Sequence, residues 1–135
     1  MKKKRIFPGM TLVMVVSFLF LGFNSHSQEK WVAPLSADKI VNPLKGDVNA
    51  AANGQKLYKV LCVVCHGAKG KGDGVAGAGL TPKPTNLTSA EFQSQSDGAI
   101  FWKIQIGRAP MASYETSIPE NKRWEIINYI RTLKK

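Results

Sequence analysis

Both cysteines of the chain fall in one pentapeptide, Cys62-Val63-Val64-Cys65-His66, and a glycine-rich run follows at once. This spacing constrains the chain more than any other feature. Residues i and i+3 of a helical turn lie on one side, so the two thiols can act on one object. Four chemistries use such a pair: a disulfide, a zinc site, a thiol redox centre, and a tether for a larger group. The chain around the motif has to choose among them.

The first 27 residues read as an export signal. Lys2, Lys3, Lys4 and Arg5 form a basic head, residues 11–23 form an apolar run of 13, and Ser25-His26-Ser27 supplies small residues before a cut ahead of Gln28. Head, short apolar run and small-residue exit describe a secretory signal peptide. An uncleaved membrane anchor is the alternative, but Pro8 and Gly9 keep the run well short of the roughly 20 residues that span a bilayer. Cleavage removes four of the 19 basic residues and none of the nine acidic ones, so the net charge falls from +10 to +6. That charge favours acidic partners as well as solubility. The lysines are scattered and no recognition module appears, so nucleic acid is not an expected partner. Export also means that two free thiols need a fate.

Residues 28–46 contain two prolines and no clear period. They are expected to form an extended leader, with Trp31 and Pro34 on the surface, ahead of a domain over 47–135. Asp47 is placed to cap a helix over 48–61, with Ala51, Gly54, Tyr58 and Leu61 on one face. Gly54 weakens that helix by about 1 kcal/mol relative to Ala, which points to close approach of another backbone. Residues 67–79 hold six glycines in 13 positions and cannot form a regular element. They lack the Lys-Ser/Thr ending of a phosphate loop. Thr88-Ser89-Ala90-Glu91 reads as a capping box for a short helix through Phe92. Ser96 or Asp97 can cap another over 98–106, ended by Gly107. Ser117-Ile118-Pro119-Glu120 reads as a second capping box, opening a helix to about Leu133. Its Ile126, Tyr129, Ile130 and Leu133 are apolar at helical spacing, while Trp124 and Ile127 carry apolar surface to other faces. No alternating strand pattern and no repeat appear. The class is all-α, with short helices, long loops and a thin core that a large apolar cofactor would complete.

Against that background the four chemistries separate. Zinc needs four ligands in a structural site, and residues 28–135 hold two Cys and one His. A thioredoxin-like pair follows a strand in an α/β chain, which this is not. Cys-x-x-Cys-His is the signature of covalent haem attachment, with Cys62 and Cys65 forming thioethers to the vinyl groups and His66 reaching the iron. The opposite axial position goes by elimination to Met or stays open. His26, Met1, Met10 and Met14 all leave with the signal, and Met111 alone remains, in a loop 45 residues after His66.

The ordered set of residues resembles the class I cytochromes c, small exported bacterial monohaem electron carriers. It comprises Gly54-Gln55-Lys56-Leu57-Tyr58, CVVCHG, KGKGDG, Lys83-Pro84, Gly107 through Met111, and Trp124 through Tyr129-Ile130. The resemblance implies the cytochrome c fold, in which first and last helices cross at Gly54, Tyr58, Ile126 and Tyr129 and short helices surround one haem c with its iron. It implies the Pro84 carbonyl, with Pro82 as second choice, as the acceptor that orients the His66 ring. It also implies Trp102 and Arg108 as neighbours of the haem or its propionates. Members often carry Met-Pro at the distal ligand, whereas here the order is Pro110-Met111-Ala112.

The function expected from this reading is periplasmic electron transfer through His/Met-ligated haem, with no enzymatic activity and no small-molecule substrate. The redox partners would be proteins with acidic docking surfaces or membrane respiratory complexes, steered by Lys69 and Lys71. Two alternatives stand beside it. One is a haem-bearing subunit of a larger oxidoreductase complex. The other is a peroxidase-like enzyme or ligand sensor whose Met dissociates.

Overall fold

A computed structural model describes residues 30–134. The export signal expected over 1–27 lies outside the described residues. The elements in order are a 3-10 turn at Ala37–Lys39, then α1 (Val48–Leu61), α2 (Val63–His66), α3 (Ala90–Gln93), α4 (Asp97–Ile106) and α5 (Glu120–Thr132). Among the described residues there is no strand, and one isolated bridge joins Arg108 to Met111. No helix among them is long and apolar enough to cross a membrane.

α1 begins where its cap dictates. The Asp47 carboxylate accepts from the backbone N–H groups of Asn49 (2.8 Å) and Ala50 (3.1 Å), filling two donors that the first turn leaves open. Asp47→Ala is expected to lower stability by about 1 kcal/mol, read from the midpoint of a urea melt. The buried face carries Ala50, Gly54 and Tyr58, with Ala51 only half-buried.

α1 crosses α5, and their packing is the most extensive between helices among the described residues. A Cβ at Gly54 would overlap the carbonyl of Glu125 and lie 2.9 Å from the nitrogen of Ile126. The crossing therefore requires glycine there, as the helix propensity cost implied. Beside it the rings of Tyr58 and Tyr129 meet at 5.1 Å, a tilted pair. α5 is buried on all sides from Arg123 to Ile130. Trp124 stacks on Phe101 of α4 at 4.0 Å, and the Arg123 guanidinium sits 4.8 Å from the same Phe101 ring. Full burial of Ile126, Ile127 and Ile100 stabilises by about 1.5–3 kcal/mol each.

Two expected capping boxes do not form as read. At α3 the cap is Ser89, not Thr88; its hydroxyl accepts from Phe92 N–H at 3.2 Å. The Thr88 hydroxyl instead donates to the Asn86 side chain at 2.8 Å. At α5 the cap position falls on Pro119, which has no side-chain acceptor, and Ser117 lies outside the helix. α4 follows its signals: Ser96 accepts from Ala99 N–H at 3.0 Å, and Gly107 ends the helix at φ 68°.

The leader is more than an extended strand of chain. Ala37 is buried against α4, where a Cβ at Gly98 would overlap the Ala37 carbonyl oxygen. Asn42 is buried too, and its amide donates to Asp97 (2.8 Å) and Asn128 (2.9 Å), linking leader, α4 and α5. Trp31 is half-buried and Pro34 exposed. The apparently structureless sequence of residues 30–46 hid this because its anchors are single residues without a period.

Candidate functional site

The end of α1 and the short α2 make one continuous turn around the Cys-x-x-Cys-His segment. Cys62 caps both helices, and its carbonyl accepts from Cys65 N–H at 3.2 Å and His66 N–H at 2.8 Å. Spacing and conformation together put Cys62, Cys65 and His66 on one cavity of about 870 Å³. A volume of that size belongs to binding sites rather than packing defects.

The glycine-rich run closes the turn from outside. Gly72 N–H donates to His66 O, Gly74 N–H to Cys65 O and Ala76 N–H to Val64 O, all within 3.1 Å. The buried Tyr58 hydroxyl donates to Gly67 O at 2.8 Å, and burial raises the Tyr58 pKa, so the phenol keeps its proton for that bond. Beyond this run the chain returns through Pro82, Pro84 and Leu87, which line the opposite wall. Ile100 and Ile104 of α4, and Ile126 and Ile130 of α5, supply apolar lining from the core. Met111 is half-buried in the loop after α4, and it lines the same cavity.

The His66 ring is held from behind. Its Nδ1 lies 3.2 Å from the carbonyl oxygen of Thr85. A carbonyl can only accept, so this contact places the ring proton on Nδ1 and leaves Nε2 with its lone pair. The acceptor is therefore Thr85, and neither Pro84 nor Pro82 takes this role. The Pro84 carbonyl is turned to the glycine-rich run, where a Cβ at Gly72 would overlap its oxygen. Successive carbonyls of an extended chain point in opposite directions, which brings the next one, that of Thr85, to the ring. Burial lowers the His66 pKa and outweighs the opposing effect of the Thr85 bond, so the imidazole is neutral, the form that binds metals.

No disulfide joins Cys62 and Cys65. Burial first, and the neighbouring Cys65 second, push the Cys62 pKa up to about 12. A thiol so far from ionisation is a poor redox nucleophile, which weighs against a thiol exchange centre. Among the described residues no three His, Cys, Asp or Glu side chains gather as a metal site, so zinc lacks a ligand set. The donors on the cavity are two thiols, one oriented imidazole and one thioether, with an apolar lining. That set fits a haem, whose vinyl groups, iron and macrocycle require those partners.

Of the other residues named from sequence, Arg108 lines the cavity and Trp102 does not. Trp102 faces the leader instead, its ring 6.3 Å from that of Trp31, and it is Trp31 that lines the cavity. Lys69 and Lys71 are exposed on the glycine-rich run. Sequence reasoning missed Thr85 and Trp31. A lone aromatic in an aperiodic segment was the only available signal for Trp31.

Comparisons with known proteins bear on the family and the fold. Residues 49–130 match the family model described as cytochrome c oxidase, cbb3-type, subunit III. Among solved structures, a reducing HAO-like protein complex of Kuenenia stuttgartiensis, Kustc0457/Kustc0458, is similar at a TM-score of 0.62 and 24% identity over 71% of this chain. The chain spans 50% of that protein's length. The KustC0563 c-type cytochrome is similar at a TM-score of 0.52 and 27% identity, covering 61% of this chain and 98% of its own. Cytochrome CL of the marine methylotroph Methylophaga aminisulfidivorans is similar in fold, at a TM-score of 0.53 and 20% identity over 67% of this chain and 59% of its own. A comparison with curated protein sequences gives no match. The chain belongs to the family that the matching model describes, and it is a c-type cytochrome, with the cytochrome c fold and covalently attached haem c.

Proposed function

We propose that the protein is an exported, periplasmic electron-transfer protein in which Cys62 and Cys65 hold the haem as thioethers and His66 and Met111 bind its iron. One observation carries the reading. The His66 ring, fixed at Nδ1 by the Thr85 carbonyl, lines the same cavity as both cysteines and as the one methionine of residues 28–135. The bound haem supplies an iron that cycles between ferric and ferrous states. The residues of the chain have simpler tasks. Thr85 orients the imidazole, the apolar wall would keep water from the macrocycle, and the Met111 thioether on the same cavity would be a second protein ligand to the iron. With His66 and Met111 both bound, the iron would pass electrons and keep no place for a substrate, so the reading is of a carrier rather than an enzyme. The basic head and short apolar run of residues 1–27 support export, and covalent attachment suits thiols that would otherwise be oxidised there.

The test is a pyridine haemochrome spectrum of chain matured with the c-type attachment machinery. The spectrum expected is that of haem bound through two thioethers. Cys62→Ser and Cys65→Ser should each shift it toward one thioether and reduce holoprotein yield several-fold. A serine variant that keeps the parent's spectrum would remove that cysteine from the tether.

A second reading has an observation of its own: the matching family is described as an oxidase subunit. In that reading the chain delivers electrons inside a respiratory assembly, and redox partners are permanent rather than diffusing. Purification from gently solubilised membranes separates the two. A carrier elutes alone, and a subunit elutes with a membrane complex.

A further inference from the structure

We infer that the leader is part of the haem pocket: Trp31 closes the cavity and holds Lys103 and Arg108 as a cationic wall that receives the haem carboxylates. The leader lies outside the residues matched by the family model, which begins at residue 49. Its place on the cavity is nevertheless fixed from several sides. Behind Trp31, Ala37 is seated on Gly98, and the Ser96 hydroxyl donates to Asp38 at 2.5 Å. Asn42 bridges to Asp97 and Asn128, and Lys30 pairs with Glu91 at 2.7 Å. The exposed Lys30–Glu91 pair adds little stability, so the seat depends on the buried contacts.

Held this way, Trp31 and Ala33, both half-buried, line the cavity, with the exposed Val32 and Leu35 at its edge. The Trp31 ring is flanked by the Arg108 guanidinium at 5.1 Å and the Lys103 ammonium at 5.6 Å, both within cation–π range. Lys103, Arg108 and Lys30 line the same cavity, where the acidic residues are Asp38 and Glu91. Lys103 donates to the neutral amide oxygen of Gln95. Its pKa is lowered by burial first, then by the charges of Arg108 and Lys30, with Glu91 acting in the opposite sense. Cations gathered at the wall of an apolar cavity favour an anionic ligand group. Haem brings two carboxylates to an otherwise apolar plane, and the chemistry matches. Trp31 is then a positioning residue: it keeps the two cations at the cavity and bulk water out of it.

The inference rests on haem occupying this cavity, and it does not depend on which residue is the sixth ligand. Its test is the midpoint potential of the holoprotein in full-length Trp31→Ala, Trp31→Phe and Lys103→Met variants. Both cations and a dry pocket disfavour the more positive ferric state. Trp31→Ala and Lys103→Met are therefore expected to lower the midpoint, and Trp31→Phe, which keeps an aromatic cover, to fall between Trp31→Ala and the parent. A parental midpoint in Trp31→Ala, or a rise in Lys103→Met, would overturn the proposal. Failure of the haem reading itself looks different, because the unsubstituted protein would then give no haemochrome.

Discussion

Met111→Ala is expected to lower the midpoint potential by about 0.2 V, a fraction of the roughly 0.8 V that axial ligands command. The thioether is a soft, neutral donor that favours ferrous iron. Its loss leaves water or nothing in its place, and both favour ferric iron relative to the thioether. The ferric absorption that reports sulfur on iron should vanish in the same variant. Its reduced form should bind carbon monoxide rapidly, whereas the parent should resist it. If the potential and the ferric spectrum stay as they were, Met111 is not the ligand. Rapid carbon monoxide binding by the parent would point instead to a sensor or peroxidase-like site with a dissociable sixth ligand.

The other large effect concerns the fold. Gly54→Ala should destabilise by about 2–3 kcal/mol, in the range for overpacked cores. At about 4–8 °C per kcal/mol for a domain of this size, the melting temperature should fall by roughly 10–20 °C. Helix propensity alone argues the other way, since Ala gains about 1 kcal/mol over Gly. The contact decides the sign, because the added methyl would overlap a backbone carbonyl of α5 that cannot rotate away. Asn53→Ala, at the exposed neighbouring position, is the control and should change stability by no more than about 0.5 kcal/mol. A Gly54→Ala melt equal to the parent's would mean that α1 and α5 can part without loss.

Gly54 also shows what a sequence can reveal about a fold. A residue that local propensity disfavours implied a tertiary reason, and the crossing supplied it. The bounds of α1 and α4 were legible for a related reason: Asp47, Ser96 and Gly107 each act within one turn of themselves. The site was legible where chemistry fixes spacing, as in Cys62, Cys65 and His66. It was less so where a choice hangs on a peptide plane. Thr85 and Pro84 are adjacent, and which carbonyl faces the ring depends on how the extended segment meets Gly72. The leader was the least legible part. Trp31 meets Trp102 from 71 positions away, and Asn42 meets Asn128 from 86, through single contacts that no periodicity announces.

The clasp of α1 and α5 has a further consequence for how the chain persists as one object. Gly54 and Glu125 lie 71 positions apart, and closing a loop of that length costs about 4 kcal/mol of chain entropy. The intact loop in turn holds the two helices at an effective concentration on the order of millimolar. A single cut at the exposed Lys69 in the glycine-rich run would leave every contact of the clasp available, yet it would make their meeting bimolecular. At the dilution of a cell compartment, the unbroken peptide between the helices is therefore as much a part of the clasp as the contacts themselves.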